Sequence, residues 1–518
     1  LIQQISVAPE AIYKFKHILT QEVAYDCLLK HQRKPMHGLV GEAIEELYPE
    51  RIEEHVDQLA YHFGHAEIWQ KAVQYGQEAA KKAKGLSQFE GALKLLERVH
   101  GWLLKLPEDN KRRETLTDIL LQQEQLCETL GERERQQRII DELLSLLEIT
   151  KDRTKLADVY RRQGELFTIL GRFDSAEPVL RDSLRISQEL IDAAGERNTL
   201  RSLGFLDWQR GATQAAVANN EAALSISRQL GEKTAIAGDL TNLGNVLRHS
   251  GDYKGALKCV EQALDIADEI ADPVKQVVTR HSAATIHRDL GDNDTAISII
   301  ERGLEICREH RLWLHQMFQL SVIANIFWDQ GKHEESLEYH KEALDLSRKC
   351  NYAEGLAKSL RLVGETLIAL DRHSEALPYL EEGAALFAQL EDFQAERLFW
   401  TKIGTVYEHE GKYSQAVTAW EKVRGLCQQA KNGPGELEAL EGMARVTREQ
   451  ANNFSQAGQY YLEALKIAER LGEQNKQGEL LNTMGILEWQ RGKFGEALFA
   501  EAISCVMEGD CFAEKRSQ

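Results

Sequence analysis

GDYKGALKCVEQALDIA, Gly251 to Ala267, decides the fold. It opens on a glycine suited to a chain reversal and continues with Ala256, Leu257, Val260 and Leu264 at the spacing of one helical face. Just upstream, Leu240, Leu243 and Leu247 draw a second apolar face of the same kind. The two faces predict a pair of antiparallel amphipathic helices, neither of which can bury its stripe alone.

Working outward, the same unit recurs with a step of 40 residues. A small residue followed seven positions later by a turn residue appears as Gly164 with Gly171, Gly204 with Gly211, Gly244 with Gly251, Ala284 with Gly291 and Ala324 with Gly331. It continues as Gly364 with Asp371, Gly404 with Gly411 and then Ala444, and after one extra residue near Asn452 and Asn453 as Gly485 with Gly492, nine copies in all. An independent column keeps the step: Ala176, Ala216, Ala256, Ala296, Ser336, Ala376 and Ala416, then Ala457 and Ala497. An aromatic column after the turn (Phe173, Tyr253, Tyr413, Phe454, Phe494) is broken by Thr213, Asn293, His333 and His373. Small residues let paired helices approach closely, and the turn glycines supply a positive φ at a helix end.

Such a pattern in 518 residues fits a stack of repeats, because single cores stop growing near about 250 to 300 residues. The net charge of −19 is the wrong sign for a nucleic-acid sheath or an anionic membrane surface. No apolar run reaches the roughly 20 residues of a membrane span, and no secretory signal opens the chain, so the expected compartment is the cytoplasm. Eight cysteines lack CxxC spacing and read as reduced core residues. The start at Leu1 suggests a piece of a larger protein.

The repeat resembles the tetratricopeptide repeat, whose usual period is about 34 residues, and Gly251 to Ala267 is similar to that family's second helix. The resemblance implies an all-α, right-handed superhelical α-solenoid of antiparallel helix pairs. The longer step adds about three residues, or about 4.5 Å, to each helix. Extended repeats of this kind are similar to those of scaffold proteins that clasp peptides, including the cell-polarity and kinesin-light-chain types.

In that family the first helix of each pair lines an inner groove at three before, one after and four after the small anchor. Those columns hold Arg161, Arg201, His281 and Arg361; Phe205, Asn245, Asn325 and Glu365; and Trp208, Arg248, Arg288 and Trp328. Arginine grips carboxylates bidentately, asparagine pairs with peptide main chain, and tryptophan supplies rigid apolar area. An acidic protein or peptide with apolar anchors fits this set. The competing reading has the tryptophans packing on neighbouring repeats and the arginines pairing with carboxylates of the chain itself. A nucleotide or other phosphate at Arg248 and Arg288 is a further reading, without a glycine-rich phosphate loop to accompany it.

Residues 1–64 carry a second resemblance. Phe15 to Leu29 (FKHILTQEVAYDCLL), Arg33, His37 and Leu59 to Phe63 (LAYHF) are similar to the stretch that joins a P-loop signal-transduction ATPase module to tetratricopeptide repeats in bacterial multidomain signalling proteins, including class III adenylate or guanylate cyclases and some kinases and transcription regulators. The expected organisation is a helical junction at 1–64, degenerate helix pairs at 65–156, the regular array at 157–510 and a tail at 511–518. The expected function is a binding scaffold or sensor, or else an intramolecular regulator of an upstream cyclase, kinase or ATPase.

No GxxxxGK[ST] loop, cyclase core or nucleophile turn occurs, so no catalytic residue, metal or cofactor is assigned and the chain itself is not expected to be an enzyme. His17, His31, His37, His55, His62 and His65 lack HExxH spacing and read as packing or capping residues. His333 and His340, with Glu334 and Glu335, read as a solvated face. Apolar Phe494, Leu498 and Phe499 leave the last repeat without a polar cap, which suggests self-association through it.

Overall fold

A computed structural model describes residues 2–6, 12–15, 25, 29–86, 88–350, 353–389, 392–451 and 453–490. The chain divides into two compact units, Leu1–Gly291 and Asp292–Gln518. In the first, strands β1 (Ile2–Ser6) and β2 (Ile12–Phe15) pair antiparallel, with Ile2 opposite Phe15 and Gln4 opposite Tyr13. Helices follow: α1 (Lys30–Leu47), α2 (Ile52–His65), α3 (Trp69–Gly85), α4 (Phe89–Leu103), α5 (Asn110–Leu130), α6 (Arg133–Thr150), α7 (Arg153–Ile169), α8 (Phe173–Glu189), α9 (Ala193–Gln209), α10 (Thr213–Leu230), α11 (Lys233–His249), α12 (Tyr253–Ile270) and α13 (Pro273–Asp289). The second unit contains α14 (Asn293–His310), α15 (Trp313–Asp329), α16 (His333–Cys350), α17 (Ala353–Ala369), α18 (His373–Gln389), α19 (Phe393–His409), α20 (Tyr413–Gln429), α21 (Gly433–Ala451), α22 (Phe454–Leu471) and α23 (Gln474–Gln490). Within each unit consecutive helices pack as antiparallel pairs, and the fold is an all-α solenoid.

The hairpin departs from the expected helical start. IQQIS and IYKF are short, with isoleucine, a strand former, at their ends, and their backbone groups pair with each other. Most of the Phe15 to Leu29 stretch, and the apolar Phe494, Leu498 and Phe499, lie outside the described residues.

The small-residue column works by close approach. A Cβ on Gly244 would meet Val260 at 2.6 Å, and one on Gly404 would meet the Trp420 indole at 3.0 Å. Leu180 and Asn220 crowd Gly164 and Gly204 in the same way, and Leu380 crowds Gly364. The partner is 16 residues downstream every time, on the second helix of the pair. Turn glycines adopt the left-handed conformation, with φ of +83° at Gly251 and +80° at Gly291, and Asp371 does so at +60° where the glycine is missing. The next helix start is often capped by aspartate: Asp252 accepts from the Gly255 amide at 2.9 Å and Asp192 from Gly195 at 3.0 Å.

Among the described residues the cysteines are unbridged. Burial pushes the Cys127 and Cys307 thiols up to about 12, as inert core groups require. No helix there is long and apolar enough to cross a membrane.

His340 corrects the solvated-face reading. It stands 16 residues after Ala324, the offset that holds Leu180, Val260 and Leu380 elsewhere, and it is 1 % exposed. Its Nδ1 has no hydrogen-bond partner among the described residues. Burial lowers its pKa from 6.5 to about 4.

Two outcomes follow. Gly244→Ala forces the two helices of its repeat apart and is expected to cost about 1–3 kcal/mol, read from urea unfolding by helical ellipticity. As pH falls, the unfolded chain protonates His340 first. Its contribution is therefore complete above pH 6.5 and lost progressively towards pH 4. The loss is about 3 kcal/mol. Unfolding midpoints of His340→Leu across that window should show a correspondingly flatter decline.

Candidate functional site

A cavity of about 620 Å³ opens within the first unit, in the range of small-ligand and peptide sites. Its walls come mainly from the first helices of successive pairs, α7, α9, α11 and α13, with Glu128 from the end of α5 and Asn220 from α10. Residues one turn apart on each first helix reach the same side, so the 40-residue step repeats the wall.

Of the residues selected from sequence, Arg201, Phe205, Trp208, Asn245, Arg248 and His281 line this cavity. Phe205 and Trp208 form its aromatic wall, with ring centroids 5.8 Å apart, and Trp208 also lies 5.1 Å from His249 of the next pair. Asn242 and Asn245 project into it from α11, Asn242 exposed and Asn245 half-buried.

The other selected residues do not join it. Arg161 borders a separate 210 Å³ cavity with Asp158 and Ser187. It also grips both Glu165 oxygens at 2.7 and 2.8 Å. Arg288 is half-buried beside Asp289, 3.0 Å away, and is not part of the cavity lining. Asn325, Trp328, Arg361 and Glu365 lie in the second unit. There Trp328 packs 4.7 Å from His333, and Glu365 takes bonds from Arg361 at 2.8 Å and Lys402 at 2.7 Å.

The arginines of the cavity are answered by carboxylates of the chain itself. Arg201 pairs with Asp239, which is 1 % exposed and also accepts from the Ser227 hydroxyl. Arg248 pairs with Asp289 and contacts His249 Nε2 at 2.7 Å. A charge-assisted bond to a carboxylate this deeply buried fixes Arg201 as a brace between α9 and α11.

Three contributors escaped the sequence reading. Asn220 fills the space beside Gly204 and donates to the Ala216 carbonyl at 2.8 Å, an amide in a column otherwise held by Leu180, Val260 and Leu380. Glu128 stands 40 residues before Thr168, so one more step back along the Thr168, Trp208, Arg248 column reaches it. Asn242 sits two residues before its anchor and had no column to reveal it. Among the described residues no group of three or more His, Cys, Asp or Glu has the arrangement of a metal site.

The family model described as tetratricopeptide repeat matches residues 155–229, 237–309, 318–389 and 396–470, together more than half of the chain. No curated protein matches the sequence. Among solved structures, similarity extends to a signal transduction ATPase with numerous domains and a tetratricopeptide repeat sensor from Pyrococcus horikoshii, at 13 % identity and a TM-score of 0.47, covering 73 % of this chain and 53 % of that one. The chain thus spans about half the length of that protein. It is also similar to a Rap protein complexed with competence and sporulation factor, at 14 % identity and a TM-score of 0.40 over 78 % of this chain and 99 % of that one. The apo quorum sensor NprR from B. thuringiensis aligns at 15 % identity and a TM-score of 0.39, over 67 % and 97 %.

Because Asp239 is buried, Arg201→Ala leaves an uncompensated carboxylate and is expected to destabilise the first unit by about 3–5 kcal/mol. Joint replacement, Arg201→Met with Asp239→Leu, should recover most of that loss in thermal melts.

Proposed function

Starting from a chain that belongs to the tetratricopeptide repeat family, we propose that it is a binding module that holds an extended peptide segment of a partner in the cavity of its first unit. The observation that carries this reading is the wall itself, where the Phe205 and Trp208 rings face the same space as the Asn242 and Asn245 amides. An asparagine amide offers a donor and an acceptor together, the complement of a peptide unit. Aromatic rings at low rotamer entropy anchor an apolar side chain. Weighing against a phosphate ligand is the pairing of Arg248 and Arg288 with Asp289.

Residues 1–64, through their resemblance to an ATPase-to-repeat junction, support placing this module in a larger signalling protein. There it reports partner binding to an upstream cyclase, kinase or ATPase. The cytoplasm is the compartment that such a role requires.

The test is a random peptide library displayed on phage and panned on the whole chain, with affinities of the selected peptides measured by fluorescence anisotropy. Trp208→Ala combined with Asn245→Ala is expected to weaken the selected peptides at least tenfold while leaving helical ellipticity unchanged. Unchanged affinity, or a library that yields no binder, overturns the assignment.

A further inference from the structure

The order of charges along the cavity says what kind of peptide it takes. At the α5 end two carboxylates face the space, Glu128 and Glu165. Glu165 is already answered by Arg161 and by the Ser202 hydroxyl. Glu128 forms no ion pair among the described residues, and nearby Arg162 is committed to Asp158 and to buried Glu124. Loss of water around Glu128, with Glu124 and Glu165 beside it, pushes its carboxyl above the ordinary range. A cation placed there relieves that crowding.

The opposite end has the opposite imbalance. Arg248 and Arg288 both lean on Asp289, two guanidiniums on one carboxylate. Arg248 Nε is buried with no acceptor among the described residues, and an unanswered donor of this kind costs about 1–3 kcal/mol. Between the ends stand Phe205 and Trp208.

Resting on the peptide-binding reading above, we propose that the bound segment is bipolar. A basic group, from lysine, arginine or a free amino terminus, sits at Glu128, a carboxylate sits at Arg248, and an apolar side chain lies between them on Phe205 and Trp208. This replaces a uniformly acidic ligand with one that is acidic at a single end. Two opposite poles also fix the direction in which the segment lies, because reversal sets like charges together at both ends.

The experiment uses labelled hexapeptides that share one apolar centre and differ only in their ends: lysine and aspartate in both orders, two aspartates, or two lysines. One bipolar order is expected to bind the whole chain at least tenfold more tightly than either uniform peptide. Glu128→Gln should erase its advantage over the two-aspartate peptide, and Arg248→Gln its advantage over the two-lysine peptide. Arg248→Lys, which keeps the charge, should preserve the ranking, and helical ellipticity verifies the fold of each variant. A two-aspartate peptide that binds as well as the bipolar ones, or a ranking indifferent to both neutral variants, overturns the bipolar assignment and leaves the peptide site standing. Failure of every hexapeptide, alongside failure of the library selection, removes the site itself and this inference with it.

Discussion

Everything in this molecule depends on an absent side chain. Where Gly164, Gly244, Gly364 or Gly404 stands in the first helix of a pair, the second helix fills the space with Leu180, Val260, Leu380 or Trp420. That contact sets how closely the helices approach and which way each rolls about its axis. The roll decides which residues of the first helix remain uncovered. Phe205, Trp208, Asn245 and Arg248 face one space because they lie one or four residues after Gly204 and Gly244, whose backbones are locked against their partners. Packing and binding surface are therefore one geometric decision, taken once per repeat.

Electrostatics then tie one repeat to the next. Lys155 reaches Asp118, Arg162 reaches Glu124, Arg201 reaches Asp239 and Arg248 reaches Asp289, each across nearly one repeat length. The second unit does the same with Arg348 and Glu382, and with Arg445 and Glu408. Exposed pairs of this kind contribute about 0–1 kcal/mol each. Pairs that close on buried Glu124 or Asp239 are different, since losing one partner strands a charge away from water. A net charge of −19 consequently says little about the cavity, where the charges that matter are those left over after this internal pairing.

The helix pairs, their period and the left-handed turns were legible because each is a constraint that recurs every 40 residues. Six of the selected residues also meet in one cavity, since helical phase follows from the anchor column. Which arginines keep their charge for a ligand was not legible. Asp239 is as distant from Arg201 in sequence as any surface carboxylate, and only the packing of α11 on α9 brings it into the interior. The hairpin at Ile2–Ser6 and Ile12–Phe15 was hidden for a different reason: nothing in the array repeats it, so no second copy confirmed a reading.

Repetition offers one more form of evidence, because each copy is a control for the others. The column 16 residues after the anchor is apolar at Leu180, Val260 and Leu380, and polar at Asn220 and His340. The two departures have opposite consequences. Asn220 donates to Ala216 and borders a cavity, so its remaining polarity has somewhere to act. His340 is sealed in the core with Nδ1 unanswered among the described residues, and it burdens the fold whenever protons are plentiful. A broken column is therefore a sign of function only where the structure also opens a space beside it. In the first unit that space lies between Glu128 and Arg248, which occupy the same register three repeats apart and carry opposite charges.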